Sequence, residues 1–336
     1  MSNDTILLGH GGGGRMTREL LEEYLLPPLN NPLLEKLDDS AVLPRRDTAT
    51  TFTTDSYVID PLEFPGGDIG KLAVCGTVND LSMQGGKPLY LSLALIIEEG
   101  FSFSALKRII KSLAQTAESA GVSIVTGDTK VVERGKAGGM YINTTGIGEL
   151  PPNIDVSVSN AQPGDDIIIS GTVGDHGLAV MAAREALALK SELVSDLAPL
   201  NDLAQELLEK FPDIHCLRDP TRSGLTGALI DIAASSGVGI TIKQNDVPVR
   251  REVSGACRIL GLEPMSSANE GKAVIVTKPE DTQQVLSLLR GSRHGVEASH
   301  IGKVVDEHPG RVVAETSIKG RRFLTLPAGE QLPRIC

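Results

Sequence analysis

The chain has no tryptophan, and aromatic residues make up only 3% of its 336 positions. A core must therefore rely on Leu, Ile, Val and Ala, with backbones packed closely at some of the 36 glycines. Cysteine is scarcer still. The four thiols, Cys75, Cys216, Cys257 and Cys336, form no CxxC pair and no zinc-type spacing. Cys75 and Cys257 sit among small and apolar residues at helical spacing, so they read as buried structural thiols. Cys216 stands beside Arg218 and Asp219. All of this fits a reducing cytoplasm. Positive charge is also in deficit, and the net charge of −11 argues against broad nucleic-acid or anionic-membrane binding. An acidic protein that binds a polyphosphate needs a divalent cation to offset the repulsion. No apolar run reaches the ~20 residues of a membrane span. The start, MSNDTILLGHGGGG, lacks the basic and apolar regions of a secretory signal.

What is present is an ordinary globular composition, 40% hydrophobic and 22% charged, at a length that favours two domains. Strand and helix signals alternate. TRELLEEYLL reads as a helix closed by Pro27 and Pro28, and TATTFTTDSYVI as a strand running into Asp55. DIGKLAVCGTVNDLSMQGG reads as a helix with Asp68 near its N-cap and Asn79–Asp80 near its end. A second, amphipathic helix is expected from about Ser104 to Ala120, with Gly121 suited to end it. VSIVTGDT is a strand that delivers Asp128. The Pro-, Asn- and Ser-rich stretch LPPNIDVSVSNAQPGD marks a seam, giving units 1–153 and 154–326 and a tail, 327–336.

Four acidic clusters punctuate the first half: Asp38–Asp39, Asp55, Asp80 and Asp128. Each flanks an apolar segment, where a turn would expose it. Separated carboxylates on convergent elements can hold Mg²⁺ against a nucleotide, although any single Asp is more often a turn or cap residue. The glycine run GHGGGGRM, with Gly11, Gly12 and Gly13, precedes a helix and serves equally as a phosphate cradle or a flexible lid. It is not a Walker loop, because no GK[ST] follows. In the second half, RDPTRSG places Arg222 where it can meet phosphate or form a surface salt bridge. Glu270, between Asn and Gly in ANEGK, is poorly explained by packing and reads as a base or ligand, or else a turn residue.

The chain closes on QLPRIC, a thiol at the end of a proline-bearing tail. The ten residues from Pro327 reach about 33 Å when extended. Such an arm can present its tip to another protein and then bury it in a pocket. Pro327 and Pro333 bias it toward extension and limit the entropy lost on docking.

Together, GHGGGGRM, LDDSAVL, TTDSYVIDPLEFPGGDIGKLAVCGTVNDLSMQGGKPLYL, TGDTKVVERG, INTTGIG, GDHG, RDPTRSGL, NEGK and terminal PRIC resemble the PurM-like, or AIR-synthase-related, superfamily. They resemble its hydrogenase maturation branch, the HypE family, most closely, over nearly the whole chain. Two positions depart from the pattern: Ser223 stands where a second Gly is expected, and an Asp is missing near Gly138. The resemblance implies an α+β fold of two α/β domains, with mixed or antiparallel sheets packed on helices and a C-terminal tail. It implies a cytoplasmic homodimer whose N-terminal sheets join. It also implies an enzyme that dehydrates a carbamoyl group carried on Cys336 to a thiocyanate, using ATP and Mg²⁺. A carbamoyltransferase, HypF, would load the thiol, and the HypC–HypD complex would receive the cyanide for a nickel–iron centre.

Expelling an amide oxygen requires that it first become a good leaving group, and phosphorylation achieves this mainly through positioning and charge neutralisation. Asp39, Asp55, Asp80 and Asp128 are assigned to metal and phosphate, with Asp38 in support. Gly11, Gly12, Gly13, Asn79, Gly127, Asp219 and Arg222 complete the nucleotide contacts that the resemblance implies. A base must take protons from nitrogen. Glu270 and Lys130 are the candidates, Glu270 preferred, with His10 and His176 behind them. Lys130 follows Asp128 by two residues and so projects to the same strand face. The alternatives are another ATP-dependent kinase or synthetase of this superfamily, or a scaffold that uses ATP only to set tail position.

Overall fold

The computed structural model describes residues 5–11, 15–36, 41, 43–184 and 193–326. Gly12, Gly13, Asp38, Asp39 and the tail with Cys336 lie outside the described residues. At the N-terminal end, α1 (Arg15–Leu20) continues through a wider π-type turn, Leu21–Leu25, into α2 (Leu26–Leu29). The expected stop at Pro27 and Pro28 is corrected here. Both prolines lie in the first turn of α2, where no N–H partner is needed, and the helical path ends only at Asn30.

A four-stranded sheet follows from β1 (Ala49–Tyr57), β4 (Lys87–Glu98), β5 (Ser123–Val132) and β6 (Met140–Leu150). A small hairpin, β2 (Glu63–Phe64) with β3 (Gly67–Asp68), leads into helix α3 (Ile69–Met83). The sheet order is β1-β6-β4-β5, with only the β4–β5 pair parallel. Asp68 caps α3 as the sequence suggests: its Oδ1 accepts from the N–H groups of Gly70 at 2.8 Å and Lys71 at 3.0 Å. Nearly every α3 side chain is buried, so this helix is a central beam rather than a surface element. Helix α4 (Phe103–Ser119) packs beside it through Leu106, Ile109, Ile110 and Leu113, and Gly121, at φ +67°, follows its C-cap.

No regular element spans residues 151–165. Beyond them a seven-stranded sheet runs β13-β12-β9-β11-β7-β10-β8. Its strands are β7 (Asp166–Ile169), β8 (Cys216–Arg218), β9 (Gly239–Lys243), β10 (Val274–Thr277), β11 (Ser299–Val305), β12 (Val312–Glu315) and β13 (Arg321–Phe323). Helices α5 (Asp175–Arg184), α6 (Asn201–Lys210), α7 (Gly224–Ser236), α8 (Arg251–Leu260) and α9 (Thr282–Gly291) complete the described chain. α7 packs its apolar side chains into one cluster with the sheet, α6 and α9 into another, and α8 into a smaller one with α5. Cys75, Cys216 and Cys257 are free and buried in this aliphatic interior, and burial pushes Cys257 up to about 11.

Candidate functional site

Alternation along β1 turns Thr53, Asp55 and Tyr57 toward α3. Tyr57 is buried and its hydroxyl donates to Asp55 Oδ2 at 3.4 Å. The same hydroxyl lies 3.2 Å from Thr77 Oγ1 on α3, which continues to Thr144 Oγ1 on β6 at 2.5 Å. Asp55 thus stands at the end of a side-chain chain rooted in the sheet and the central helix. Asp80, in the last turn of α3, accepts from Thr53 Oγ1 at 3.0 Å. As expected, Asp80 lies near the end of α3 and Asp128 on β5, where it is exposed; Asp55 lies within β1 rather than in a turn beyond it. Asp55 and Asp128 lie inside strands and Asp80 inside a helix, so regular backbone fixes their direction.

The second half closes over Asp55 and Asp80. A cavity of about 410 Å³ is lined by both of them, by Tyr57, by Arg218, Asp219 and Arg222 after β8, and by Glu270 before β10. A second cavity, about 490 Å³, meets it at Asp80, Arg218 and Asp219 and has an apolar wall that includes Leu81, Met83 and Val156. Ser223 enters α7 at φ 61°, in the left-handed region, which is why glycine is expected there.

This cleft is electrostatically frustrated. Glu270 is 3% exposed, and its Oε1 is buried without a hydrogen-bond partner. Burial, reinforced by Asp219, Asp196, Asp55 and Asp80, holds its carboxyl well above the ordinary range. Burial and then the nearby Asp80 push Asp219 up to about 7, and its Oδ2 is also orphaned. Burial raises Asp80 and Asp55 as well. Thr53, Arg218 and Arg222 partly oppose this at Asp80, and Arg222 and Tyr57 do so at Asp55. Arg218 is itself paired with Asp231 at 2.8 Å. Four carboxylates therefore face two guanidiniums, one of them already engaged.

Among the described residues, no three ligand-type side chains converge tightly enough to hold a metal alone. That suits Mg²⁺, which commonly takes one or two carboxylates and completes its shell from phosphate and water. The hard oxygens of Asp55 and Asp80, with orphaned carboxylate atoms behind them, fit such an ion bridging to a polyphosphate.

Other expected residues lie elsewhere. Asp128 and Lys130 pair at 3.4 Å on β5, each side chain 64% exposed. Asp128 is in register with Ala94, Asn143 and Ser56, whereas Asp55 aligns with Thr144. The two aspartates therefore project from opposite faces, three strand spacings or roughly 14 Å apart. Gly127 lies inside β5, where a Cβ would stand 2.5 Å from the Leu93 carbonyl oxygen. Asn79 is buried with its amide given to backbone groups of the second half. Gly11 ends the short turn Leu8–Gly11. His10 is buried against Phe103, and His176 against Phe64 and Ser195, so both are structural. The sequence reading missed as site residues Tyr57, whose two-residue spacing from Asp55 was a signal, Arg218, which opens the RDPTRSG motif, and Asp196, which had no signal.

The chain matches the AIR synthase related protein N-terminal domain over residues 37–150 and the C-terminal domain over 162–315. It is 44% identical to the carbamoyl dehydratase HypE of Rhodobacter capsulatus, covering 100% of this chain and 99% of that protein. The crystal structure of a hydrogenase maturation protein HypE in complex with ATP superposes with a TM-score of 0.96 at 45% identity, covering 99% of this chain and 100% of the other. A HypE chain from a HypE–HypF complex gives 0.81, also at 45% identity, over 94% of this chain and 100% of that one.

Proposed function

The chain belongs to the HypE family of AIR synthase related proteins, and on that premise we propose that it is an ATP-dependent carbamoyl dehydratase. Its substrate is an S-carbamoyl group on Cys336 and its product the S-cyano form of the same thiol. Nitrile formation removes one oxygen and two protons from the amide. When bound, Mg²⁺–ATP supplies the phosphoryl group that turns the amide oxygen into a leaving group. Asp55 and Asp80 hold the metal, joined by Asp39 from outside the described residues. Arg222 neutralises phosphate charge, and Asp219 lines the same cleft.

Glu270 takes a proton from nitrogen. The observation that carries this assignment is its buried carboxyl with an unpartnered oxygen, on the wall of the cleft that holds Asp55 and Asp80. Burial and the like charge of Asp219, Asp196, Asp55 and Asp80 raise the pKa of that carboxyl. Glu270 would act as the base in its ionised form, with Asp55 and Asp80 placed to hold a cation that would offset the negative charge around it.

The ATP complex of one relative supports the nucleotide, and the HypE–HypF complex of another supports a loading carbamoyltransferase as partner. Delivery of cyanide to HypC–HypD follows from the same reading, as does a cytoplasmic homodimer. Phe52 and Ile96 support the dimer: they lie 69% and 42% exposed on the sheet face that also carries Asp128 and Lys130, with Ile96 in register with Lys130. A second copy over this face would bring its Asp128 and Lys130 to the joint.

Intact-mass spectrometry of the C-terminal peptide tests the reaction. Incubation with the carbamoyltransferase, carbamoyl phosphate and ATP should add a carbamoyl group and then remove one water. Carbamoylation that persists unchanged in excess ATP and Mg²⁺ would sink the proposal. Cys336→Ala should abolish both mass changes while ATP binding survives.

A further inference from the structure

Glu270 has an unpartnered carboxyl oxygen, so its aim into the cleft depends heavily on its peptide unit. That unit is gripped from both sides by residues remote in sequence. Asp196 Oδ1 accepts the Glu270 N–H at 3.2 Å. The Glu270 carbonyl accepts from the Ala198 N–H at 3.3 Å and from Asn79 Nδ2 at 3.4 Å. Asn79 Nδ2 also donates to the Ala198 carbonyl at 3.1 Å, and Asn79 Oδ1 accepts from the Leu200 N–H at 2.8 Å.

Asn79 is 1% exposed and belongs to the last turns of α3, next to Asp80. Its amide therefore ties the helix that carries a metal-site carboxylate to the segment that carries the base. Asp196 is secured in turn by Lys272, whose Nζ lies 3.5 Å from Oδ2. Gly271 permits this close approach, since a Cβ there would stand 1.9 Å from the Asp196 carbonyl oxygen. The NEGK stretch thus divides its labour: Glu270 faces the cleft, Gly271 admits the neighbouring strand of chain, and Lys272 anchors the clamp.

We infer that Asn79 and Asp196 are positioning residues that lock the Glu270 peptide unit to the end of α3 bearing Asp80. The clamp fixes the spacing between the phosphate-binding wall and the base, which come from different halves of the chain. It rests on the reading of Glu270 as the base. Misplacing a reacting group by about 1 Å can cost about a hundredfold in rate, so a buried clamp of this kind has kinetic consequence.

The test is single-turnover dehydration of the carbamoylated full-length protein at saturating ATP. Asn79→Ala and Asp196→Ala are made alone and in a Glu270→Gln background. Each is expected to slow dehydration by about tenfold to a hundredfold in the native background, with the KM for ATP moved by less than about threefold. In the Glu270→Gln background each should add less than about twofold, because the group being positioned is already gone. Asp196→Asn keeps an oxygen for the Glu270 N–H and should recover most of the rate. Equal losses in both backgrounds, or Asp196→Asn as slow as Asp196→Ala, would overturn the clamp. Full activity in Glu270→Gln alone would remove the base assignment first, and the clamp with it. Should Asn79→Ala fail to fold, the Asp196 pair decides the question from the other side of the peptide unit.

Discussion

The four-stranded sheet carries its carboxylates on two faces that differ in almost every physical respect. On the face toward α3, Asp55 is braced by Tyr57 and shares a closed cleft with Asp80, Asp219 and Glu270. On the other face, Asp128 and Lys130 form an ion pair with both side chains mostly in water. An exposed pair of that kind contributes about 0–1 kcal/mol to stability, so folding alone gives little reason for it. The buried group is destabilising as it stands. The inner face lacks compensating positive charge, and the outer one leaves Phe52 and Ile96 exposed.

The most severe way to separate the two faces is to remove one side chain from the cleft over the inner face and one from the outer face. Glu270→Gln should slow dehydration by about 10²–10⁴-fold, the usual range for losing a general base, with carbamoyl loading intact. Lys130→Met should have a smaller effect, about tenfold, through charge alone. Quench-flow analysis of the C-terminal peptide measures both. If Lys130→Met proves as damaging as Glu270→Gln, the outer face takes a direct part in the chemistry.

The outer face can be broken separately. Placing Glu at Phe52 or Ile96 puts a charge where the proposed dimer would cover an apolar surface. Either change should weaken self-association by about tenfold or more in sedimentation velocity, as expected for disrupting the centre of an interface. Unchanged association would show that copies of the chain meet elsewhere.

Much of this contrast was legible in the sequence. The helix ends around Asp68 and Gly121 follow from capping chemistry, and both halves show their alternation of elements. Glu270 stood out because nothing apolar accounted for it. Three features were not legible. Pro27 and Pro28 look like a stop, yet proline is equally at home in a first helical turn, and only packing decides which applies. The motif TTDSYV does not say which sheet face Asp55 takes, because a shift of one residue exchanges the faces. Partners such as Asp196 lie in irregular chain and carry no periodic signal at all.

Titration sharpens the comparison by isolating the inner face. Asp219 is pushed up to about 7 in the fold, against about 3.9 for an unfolded Asp. The native state therefore favours its protonated form. With respect to this group, stability is greatest below about pH 4 and declines as pH rises through about 7, where ionisation in the closed cleft becomes costly. Asp219→Asn cannot ionise. Its thermal midpoint should exceed that of the parent above about pH 7 and converge with it below about pH 4. Mg²⁺ with nucleotide should reduce the difference at high pH, since the cation offsets the same charge.

The smallest expected effect concerns the loop that delivers Arg222 to the cleft. Ser223 adopts φ 61°, ψ 13° with no side-chain hydrogen bond to the helix start, so nothing visible repays its left-handed backbone. Glycine would remove about 1–2 kcal/mol of strain but bring its own greater freedom in the unfolded chain. Ser223→Gly should therefore gain about 0.5–1 kcal/mol in urea unfolding at constant m-value. Arg222 is fixed by this same turn, so loosening it also tests whether the strain serves the site. A stabilised variant with unaltered ATP affinity would mark the strain as tolerated rather than used. A stabilised variant that binds ATP more weakly would mean that Ser223 holds Arg222 in place at the expense of the fold.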